Sequence, residues 1–331
     1  MDKEKNRHRA LALFSGGLDS ILAVKIIQSQ GIDVIPVCFV SPFFNAKKAE
    51  HFANTLDLTL HIQEVEEDYL KIIQSPRFGY GKNLNPCIDC HTYMVKKLGL
   101  LMPKFQADFM ISGEVLGQRP KSQTLTGLNT VAKHSGYKDR IVRPLSQKLL
   151  LDTMPIRQGW VDKSRLYDIQ GRGRARQIEL AEKFGITDYP SPAGGCLLTD
   201  KGYCKRLQDL IDYQMFSWRF IKFLDVGRHF RISENVKLVL GRNKIDNERL
   251  QHLTKDALIT LQGKDYPGPF CVINSKKKPY IAEIRLSAQI LLRYIAKVKE
   301  KGKVKINIGS MTETIEVEKM KPGLEKKYLI N

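Results

Sequence analysis

The sequence predicts a doubly wound α/β domain built on a parallel sheet, followed by a smaller C-terminal α+β domain. Short apolar runs alternate with amphipathic stretches over the first 145 residues, a glycine-rich turn separates the first such run from the first amphipathic stretch, and basic residues gather towards the C-terminus. At 331 residues the chain has room for two domains. Hydrophobic residues at 42% and charged residues at 27% match a folded chain and exclude collagen-like and wholly disordered classes.

Taken in order, Leu11 to Phe14 reads as a strand, Ile21 to Gln28 as a helix and Val34 to Val40 as a second strand. Ala46 to Leu56 then reads as a helix and Leu58 to Ile62 as a third strand, a βαβαβ rhythm. A helix over Thr92 to Met102 is expected to stop at Pro103, because proline lacks the N–H that continues the ladder. Phe109 to Ile111 resumes as a strand ending in Ser112-Gly113. Ligands of open parallel sheets sit outside the carboxyl ends of the strands, so the turns after Phe14, Val40 and Ile111 should face one crevice. From Gly171 to Phe184 a basic helix is expected, with Ile178, Leu180, Ala181 and Phe184 inward and Gly185 closing it, before irregular chain over Tyr189 to Gly195. A boundary near 200 to 225 assigns residues 1–200 to the first domain and 201–331 to the second. There Val304, Ile306 and Ile308 alternate with Lys303, Lys305 and Asn307, the pattern of a half-buried strand, which Ile315 and Val317 repeat.

Charge points to an anionic partner. The chain carries 54 Lys and Arg against 35 Asp and Glu, a net +19, of which residues 201–331 supply +13 from 27 bases and 14 acids. Nucleic acid fits that asymmetry better than surface solvation alone. The longest apolar runs fall well short of the ~18 residues a membrane span needs. Met1 to Arg9 is polar and leads into no small-residue cleavage site, so a cytoplasmic protein is expected. Six cysteines are too few for a disulfide scaffold, and their spacing matters more than their number.

Ser15-Gly16-Gly17-Leu18-Asp19-Ser20 lies between an apolar strand and a helix. Two glycines there let backbone N–H groups close on an anion, the helix N-terminus adds partial positive charge, and Ser15 and Ser20 bring hydroxyls. The lysine of the G-x-x-x-x-G-K-[ST] pattern is missing. The hexapeptide resembles the PP-loop signature of the ATP pyrophosphatase superfamily, whose fold is that of the adenine nucleotide alpha-hydrolases. That resemblance implies cleavage of ATP to AMP and pyrophosphate, with Mg2+ accompanying the phosphates. Ser15, Gly16, Gly17, Leu18, Asp19 and Ser20 would then hold pyrophosphate and metal; by position in the fold, Phe39, Val40, Ser41 and the turn Ser112-Gly113-Glu114 would face adenine and ribose, and Gln118 is a further nucleotide contact expected in the crevice.

Cys87-Ile88-Asp89-Cys90-His91 places two thiols three positions apart just before a helix, where a thiol ionises more easily. An iron–sulfur or zinc site, a redox pair, covalent haem attachment and two ordinary cysteines are the readings in play. Haem attachment would require export, and zinc would need four ligands. Cys196, in Tyr189-Pro190-Ser191-Pro192-Ala193-Gly194-Gly195-Cys196, is the third informative thiol. Cys38, in an apolar run, reads as core, and Cys204 and Cys271 have no suggestive neighbours.

With these residues, residues 10 to 200 resemble the PP-loop domain of the tRNA thiouridine synthases. Ser112 to Pro120 and the Gly194-Gly195-Cys196 segment resemble a compact 4-thiouridine-synthase-like subgroup, and the C-terminal part resembles the NFACT-type RNA-binding module. The resemblance implies an ATP-dependent tRNA sulfurtransferase that adenylates a uridine carbonyl and exchanges its oxygen for sulfur. Cys87, Cys90 and Cys196 would hold a [4Fe–4S] cluster or, in a cluster-free relative, carry persulfide and resolve the disulfide. Asp19 is cast as a metal or water partner. The sulfur donor is a cysteine desulfurase, a persulfide carrier or free sulfide. Neither the THUMP-type extension nor the rhodanese domain of longer 4-thiouridine synthases is expected, so RNA docking and sulfur delivery should differ from theirs.

Arg172, Arg174 and Arg176, with Arg119, Lys121 and Arg143 and the Lys276-Lys277-Lys278 turn, are candidate RNA contacts, because guanidinium and ammonium groups suit phosphates. The rival functions are an ATP-dependent aminating or amidating enzyme, which needs none of the three cysteines, and a nucleotide-regulated RNA-binding adaptor without catalysis.

Overall fold

A computed structural model describes residues 8–191, 195–254 and 259–330. The chain divides into two compact units, Met1–Thr199 and Asp200–Asn331.

The N-terminal unit opens with β1 (Arg9–Leu13), α1 (Leu18–Gln28), β2 (Asp33–Val40), α2 (Lys47–Thr55) and β3 (His61–Glu64). It continues with α3 (Asp68–Gln74), α4 (Cys87–Phe105), β4 (Phe109–Ser112), α5 (Leu125–Ser135), β5 (Ile141–Val142), α6 (Met154–Arg157) and α7 (Ala175–Lys183). The strands form one parallel sheet in the order β3-β2-β1-β4-β5. Alternation of side chains along β1 explains the two layers of helices. Ala10 and Ala12 face a core shared with Ile21, Leu22 and Val24 of α1, whereas Leu11 faces Val95 and Leu98 of α4 on the other side. The order reverses at β1, whose Leu13 pairs with Val37 on one side and Ser112 on the other. The carboxyl ends of β1, β2 and β4 therefore open into one crevice, as expected for this topology.

Three boundaries differ from the sequence reading. The helix expected to stop at Pro103 runs through it and ends at Gln106, which takes a left-handed φ of 51° while Ala107 N–H donates to Met102 O at 2.9 Å. So close to the C-terminus, the missing proline N–H removes a single ladder bond. The same helix begins at Cys87, so the paired cysteines occupy its first turn rather than the chain before it. The basic helix starts at Ala175 instead of Gly171, and its inward stripe is Gln177, Leu180 and Ala181. Ile178 is exposed and Gln177 is fully buried, so a polar amide takes the place expected of an aliphatic side chain.

The C-terminal unit comprises α8 (Lys201–Asp212), α9 (Trp218–Ile221), β6 (Arg228–Arg231), β7 (Val236–Leu240), α10 (Lys244–Leu253), β8 (Ile259–Gly263), β9 (Phe270–Ser275), α11 (Ile281–Arg293), β10 (Lys301–Ile308) and β11 (Met311–Glu318). Its antiparallel sheet has the order β11-β10-β8-β9-β7-β6. Ile284, Ala288 and Leu291 of α11 pack on one face against Leu238, Leu261, Val304 and Ile306. On the other face Val239 and Val272 meet Phe223, Val226 and Leu250. Lys303 and Lys305 are exposed and alternate with the buried Val304 and Ile306, as the pattern predicts. Inside this unit Asp209 accepts from both Arg231 and the fully buried Lys237, the latter at 2.8 Å. Burial presses the Lys237 ammonium down to about 8 despite Asp209.

Candidate active site

The turn after β1 forms a cradle. Gly17 caps α1 in an extended conformation and, as a glycine, offers no side chain to bond the first N–H groups of that helix. Ser20 Oγ donates to Gly17 O at 2.8 Å and lies 3.4 Å from Ser15 Oγ, which gathers both hydroxyls at the helix entrance. Gly16 has φ +70°, and a Cβ there would stand 2.5 Å from the backbone of Lys48 in α2. Gly113, after β4, is equally tight: its Cβ would stand 2.5 Å from the backbone of Asp19. Two glycines thus let α2 and the β4 turn close on the cradle, whereas a Cβ on Gly17 would meet only Ser15 Oγ, at 3.4 Å.

Asp19 sits on the inner side of this turn. Its Oδ2 accepts from Gln118 Nε2 at 3.1 Å, and its Oδ1 is buried without a hydrogen bond. Burial raises the Asp19 carboxyl above its ordinary value against the lowering effects of Gln118, Arg174, Gln177 and Arg119. Leu18 and Phe39 are packed in the core, so they offer the crevice only backbone. Val40 is half-buried, and Ser41 Oγ accepts from Phe43 N–H at 3.0 Å, closing the turn after β2.

The thiols are assembled from two distant segments. Asp89 accepts from the N–H groups of Arg77 and Phe78 at 3.0 and 3.1 Å, fastening the preceding loop to the first turn of α4. Asn85 Nδ2 lies 3.2 Å from Cys87 Sγ. The segment carrying Cys196 is pinned by Leu197 N–H to Phe43 O at 2.9 Å and by Asn83 Nδ2 to Thr199 O at 2.7 Å. Cys90 comes within electrostatic reach of both Cys196 and Cys87. Tyr69, fully buried in α3, donates its hydroxyl to Cys90 Sγ at 3.1 Å. Burial pushes the Cys90 thiol up to about 12, although the Tyr69 hydrogen bond pulls it down. The easier ionisation expected of a helix N-terminus is therefore reversed at Cys90, where desolvation outweighs the helix dipole. Pro192, Ala193 and Gly194 lie outside the described residues.

Among the described residues no group of three His, Cys, Asp or Glu side chains closes tightly enough to hold a single metal ion. Iron–sulfur clusters are held by cysteine thiolates, the donor type that Cys87, Cys90 and Cys196 bring near Tyr69. Asp19 Oδ1, a buried carboxylate oxygen with no partner, suits a hard cation such as Mg2+.

Cradle and thiol helix are joined through Glu114. Its carboxylate lies 2.8 Å from His91 Nδ1 and accepts from Ser112 Oγ at 3.0 Å and from Arg143 Nε at 2.9 Å. Burial alone would raise the Glu114 carboxyl, but Arg143 and His91 hold it at about 2. Arg143, expected as an RNA contact, is instead buried in this network, because the charge of Glu114 needs an internal partner. Lys121 donates to Gly79 O at 2.8 Å and to Tyr80 O, so it fastens a loop, and Arg176 pairs with Asp168 at 2.7 Å. Arg119 and Arg172 are exposed and Arg174 is half-buried. Lys276, Lys277 and Lys278 are exposed in the C-terminal unit, with Lys276 Nζ donating to Tyr213 O at 2.8 Å. Cys38, Cys204 and Cys271 are buried. Tyr69 and Gln177 escaped sequence reasoning, since nothing local separates a buried tyrosine from core or a buried glutamine from a solvated helix face.

No helix among the described residues is long and apolar enough to cross a membrane. Residues 6–148 match the family model described as thiamine biosynthesis protein (ThiI), and residues 227–329 match the NFACT protein RNA binding domain. A probable tRNA sulfurtransferase of Thermococcus kodakarensis is 31% identical over 146 residues, covering 41% of this chain and 36% of that protein. A tRNA-specific 2-thiouridylase MnmA of Campylobacter jejuni is 32% identical over 104 residues, 28% of this chain and 30% of that one. The chain thus spans about a third of the length of these relatives. A crystal structure of a 4-thiouridine synthetase–RNA complex with bound ATP aligns with a TM-score of 0.39 at 20% identity, covering 54% of this chain and 41% of that one. Residues 6–148 therefore form a ThiI family domain, and residues 227–329 form an NFACT-type RNA-binding domain.

Proposed function

We propose that the protein is an ATP-dependent tRNA sulfurtransferase that makes a thiouridine. The observation that carries this reading is the gathering of Cys87, Cys90 and Cys196 around Tyr69 in the unit that also carries the Ser15–Ser20 cradle. Amination or amidation needs the cradle but none of the thiols.

In this reading the α1 N-terminus and the hydroxyls of Ser15 and Ser20 hold the ATP phosphates, and Asp19 Oδ1 takes a Mg2+ ion. The uridine carbonyl oxygen attacks the α-phosphorus, pyrophosphate leaves, and sulfur from the donor then displaces AMP, which departs with the former carbonyl oxygen. The protein's part is placement: Gly16 and Gly113 close the backbone on the nucleotide, and Glu114 fixes the distance from the cradle to the thiol helix. Cys87, Cys90 and Cys196 would hold a [4Fe–4S] cluster, which when bound presents sulfide at an iron that no protein thiolate occupies. The basic C-terminal unit supplies tRNA affinity.

The test is to incubate anaerobically purified protein with ATP, Mg2+, sulfide and a tRNA transcript. AMP, pyrophosphate and a nucleoside with the mass of an oxygen-to-sulfur exchange are expected, from a brown protein containing iron. AMP formation without any thionucleoside would refute thiolation, and full activity from a colourless, iron-free protein would replace the cluster with persulfide chemistry.

A further inference from the structure

The cradle lacks a cation of its own. Ser15 to Ser20 contains no Lys or Arg and instead contributes the negative Asp19, yet the tail of a nucleoside triphosphate brings several negative charges that one divalent ion does not offset. Two loops bring positive charge to this place. The loop of 116–119 reaches Asp19 through Gln118, and its next residue is Arg119. The loop of 170–174 is laced to it by a parallel bridge between Leu116 and Gln170 and by Gly171 N–H donating to Leu116 O at 2.7 Å. It ends in Arg174, the residue that caps α7, and α7 packs on α1. Arg174 and Arg119 both stand within electrostatic reach of Asp19.

Gln177 is the independent sign that something polar belongs here. It is fully buried, it lies beside the Asp19 carboxylate, and its Oε1 has no hydrogen-bond partner. Asp19 Oδ1 is likewise buried and unpaired. Leaving such groups without partners is costly, so a ligand that satisfies them is well rewarded. Arg176, one residue past Ala175, turns away to Asp168 and takes no part.

We propose that Arg119 and Arg174 bind the pyrophosphate portion of the nucleotide, supplying from two laced loops the positive charge that the cradle lacks, while Gln177 completes the polar shell around Asp19. This deepens the nucleotide reading of the cradle and rests on it. It also reassigns both arginines from RNA backbone to nucleotide.

Calorimetric titration of the whole protein with Mg2+-pyrophosphate, with AMP and with a tRNA transcript separates the possibilities. Arg119→Ala and Arg174→Ala should each weaken pyrophosphate binding about tenfold or more, as expected for loss of a charge-assisted hydrogen bond, and leave AMP and tRNA binding unchanged. Added guanidinium should partly restore pyrophosphate binding to Arg174→Ala. Gln177→Leu should lessen the dependence of pyrophosphate binding on Mg2+. If the arginine variants bind pyrophosphate like the wild type, whether or not they lose tRNA affinity, the inference is overturned. If the wild-type protein itself binds neither ATP nor pyrophosphate, the nucleotide reading of the cradle falls and the inference with it.

Discussion

Arg143 Nε stands 2.9 Å from Glu114 Oε2, with both side chains only 6% exposed, and this buried pair ties β5 to the turn after β4. Removing one partner strands the other in a medium that tolerates lone charge badly. Arg143→Met should therefore destabilise the protein by about 3–5 kcal/mol in urea unfolding. The Glu114 carboxyl is held at about 2 in the folded protein, below its ordinary 4.5. Its contribution to stability is then complete above about 4.5 and fades as pH falls towards about 2. Glu114→Gln should flatten the unfolding midpoint across that window. An unchanged acid limb in Glu114→Gln would show that other carboxylates govern it.

Gly16, Gly17 and Gly113 should respond differently to an added side chain. Gly16→Ala and Gly113→Ala force a Cβ to about 2.5 Å from backbone atoms of Lys48 and Asp19, so both should lower the melting temperature and abolish ATP binding together. Gly17→Val meets little beyond Ser15 Oγ and fills the cradle instead. It should keep the wild-type melting temperature and lose ATP binding. Equal thermal losses in all three would contradict this division.

The three thiols serve the second half of the proposed reaction. Cys196→Ser should leave AMP formation intact while stopping sulfur incorporation into tRNA, read by mass spectrometry of the nucleosides. Thiolation at the wild-type rate in Cys196→Ser would exclude that thiol from the chemistry.

RNA affinity carried by lysines has an ionic-strength signature. Binding of tRNA should weaken steeply with salt, and replacing Lys276, Lys277 and Lys278 by Ala should reduce the log–log slope by about 1 for each phosphate that is no longer neutralised. A salt-insensitive affinity would place recognition elsewhere.

The first half of the fold is legible in the sequence because its inner strands β1, β2 and β4 are largely buried on both faces and its turns carry glycine. Val34 to Val40 and Phe109 to Ile111 stand out for that reason. Pro103 misleads because the rule against proline is a rule about helix interiors, and three residues from the end it costs little. The two-residue β5 is too short for any periodicity. In the site, the cradle is visible because chemistry and local backbone coincide in one hexapeptide. Arg143 is misread because a lone arginine in sequence looks the same whether it faces solvent or the buried Glu114. Gln177 is hidden for the converse reason: a polar letter in a basic helix gives no sign that it points inward, and its neighbour Ile178 draws the eye instead.

The lacing of the 116–119 and 170–174 loops bears on how this unit is made. A nascent chain that has left the ribosome only as far as β5 already owns the glycine turn, the central strand and the paired cysteines, but neither Gln177 nor Cys196. A truncation at the end of the ThiI-matched stretch would yield an unfinished vessel, complete in its floor and missing a wall, whatever its helices and strands report by spectroscopy.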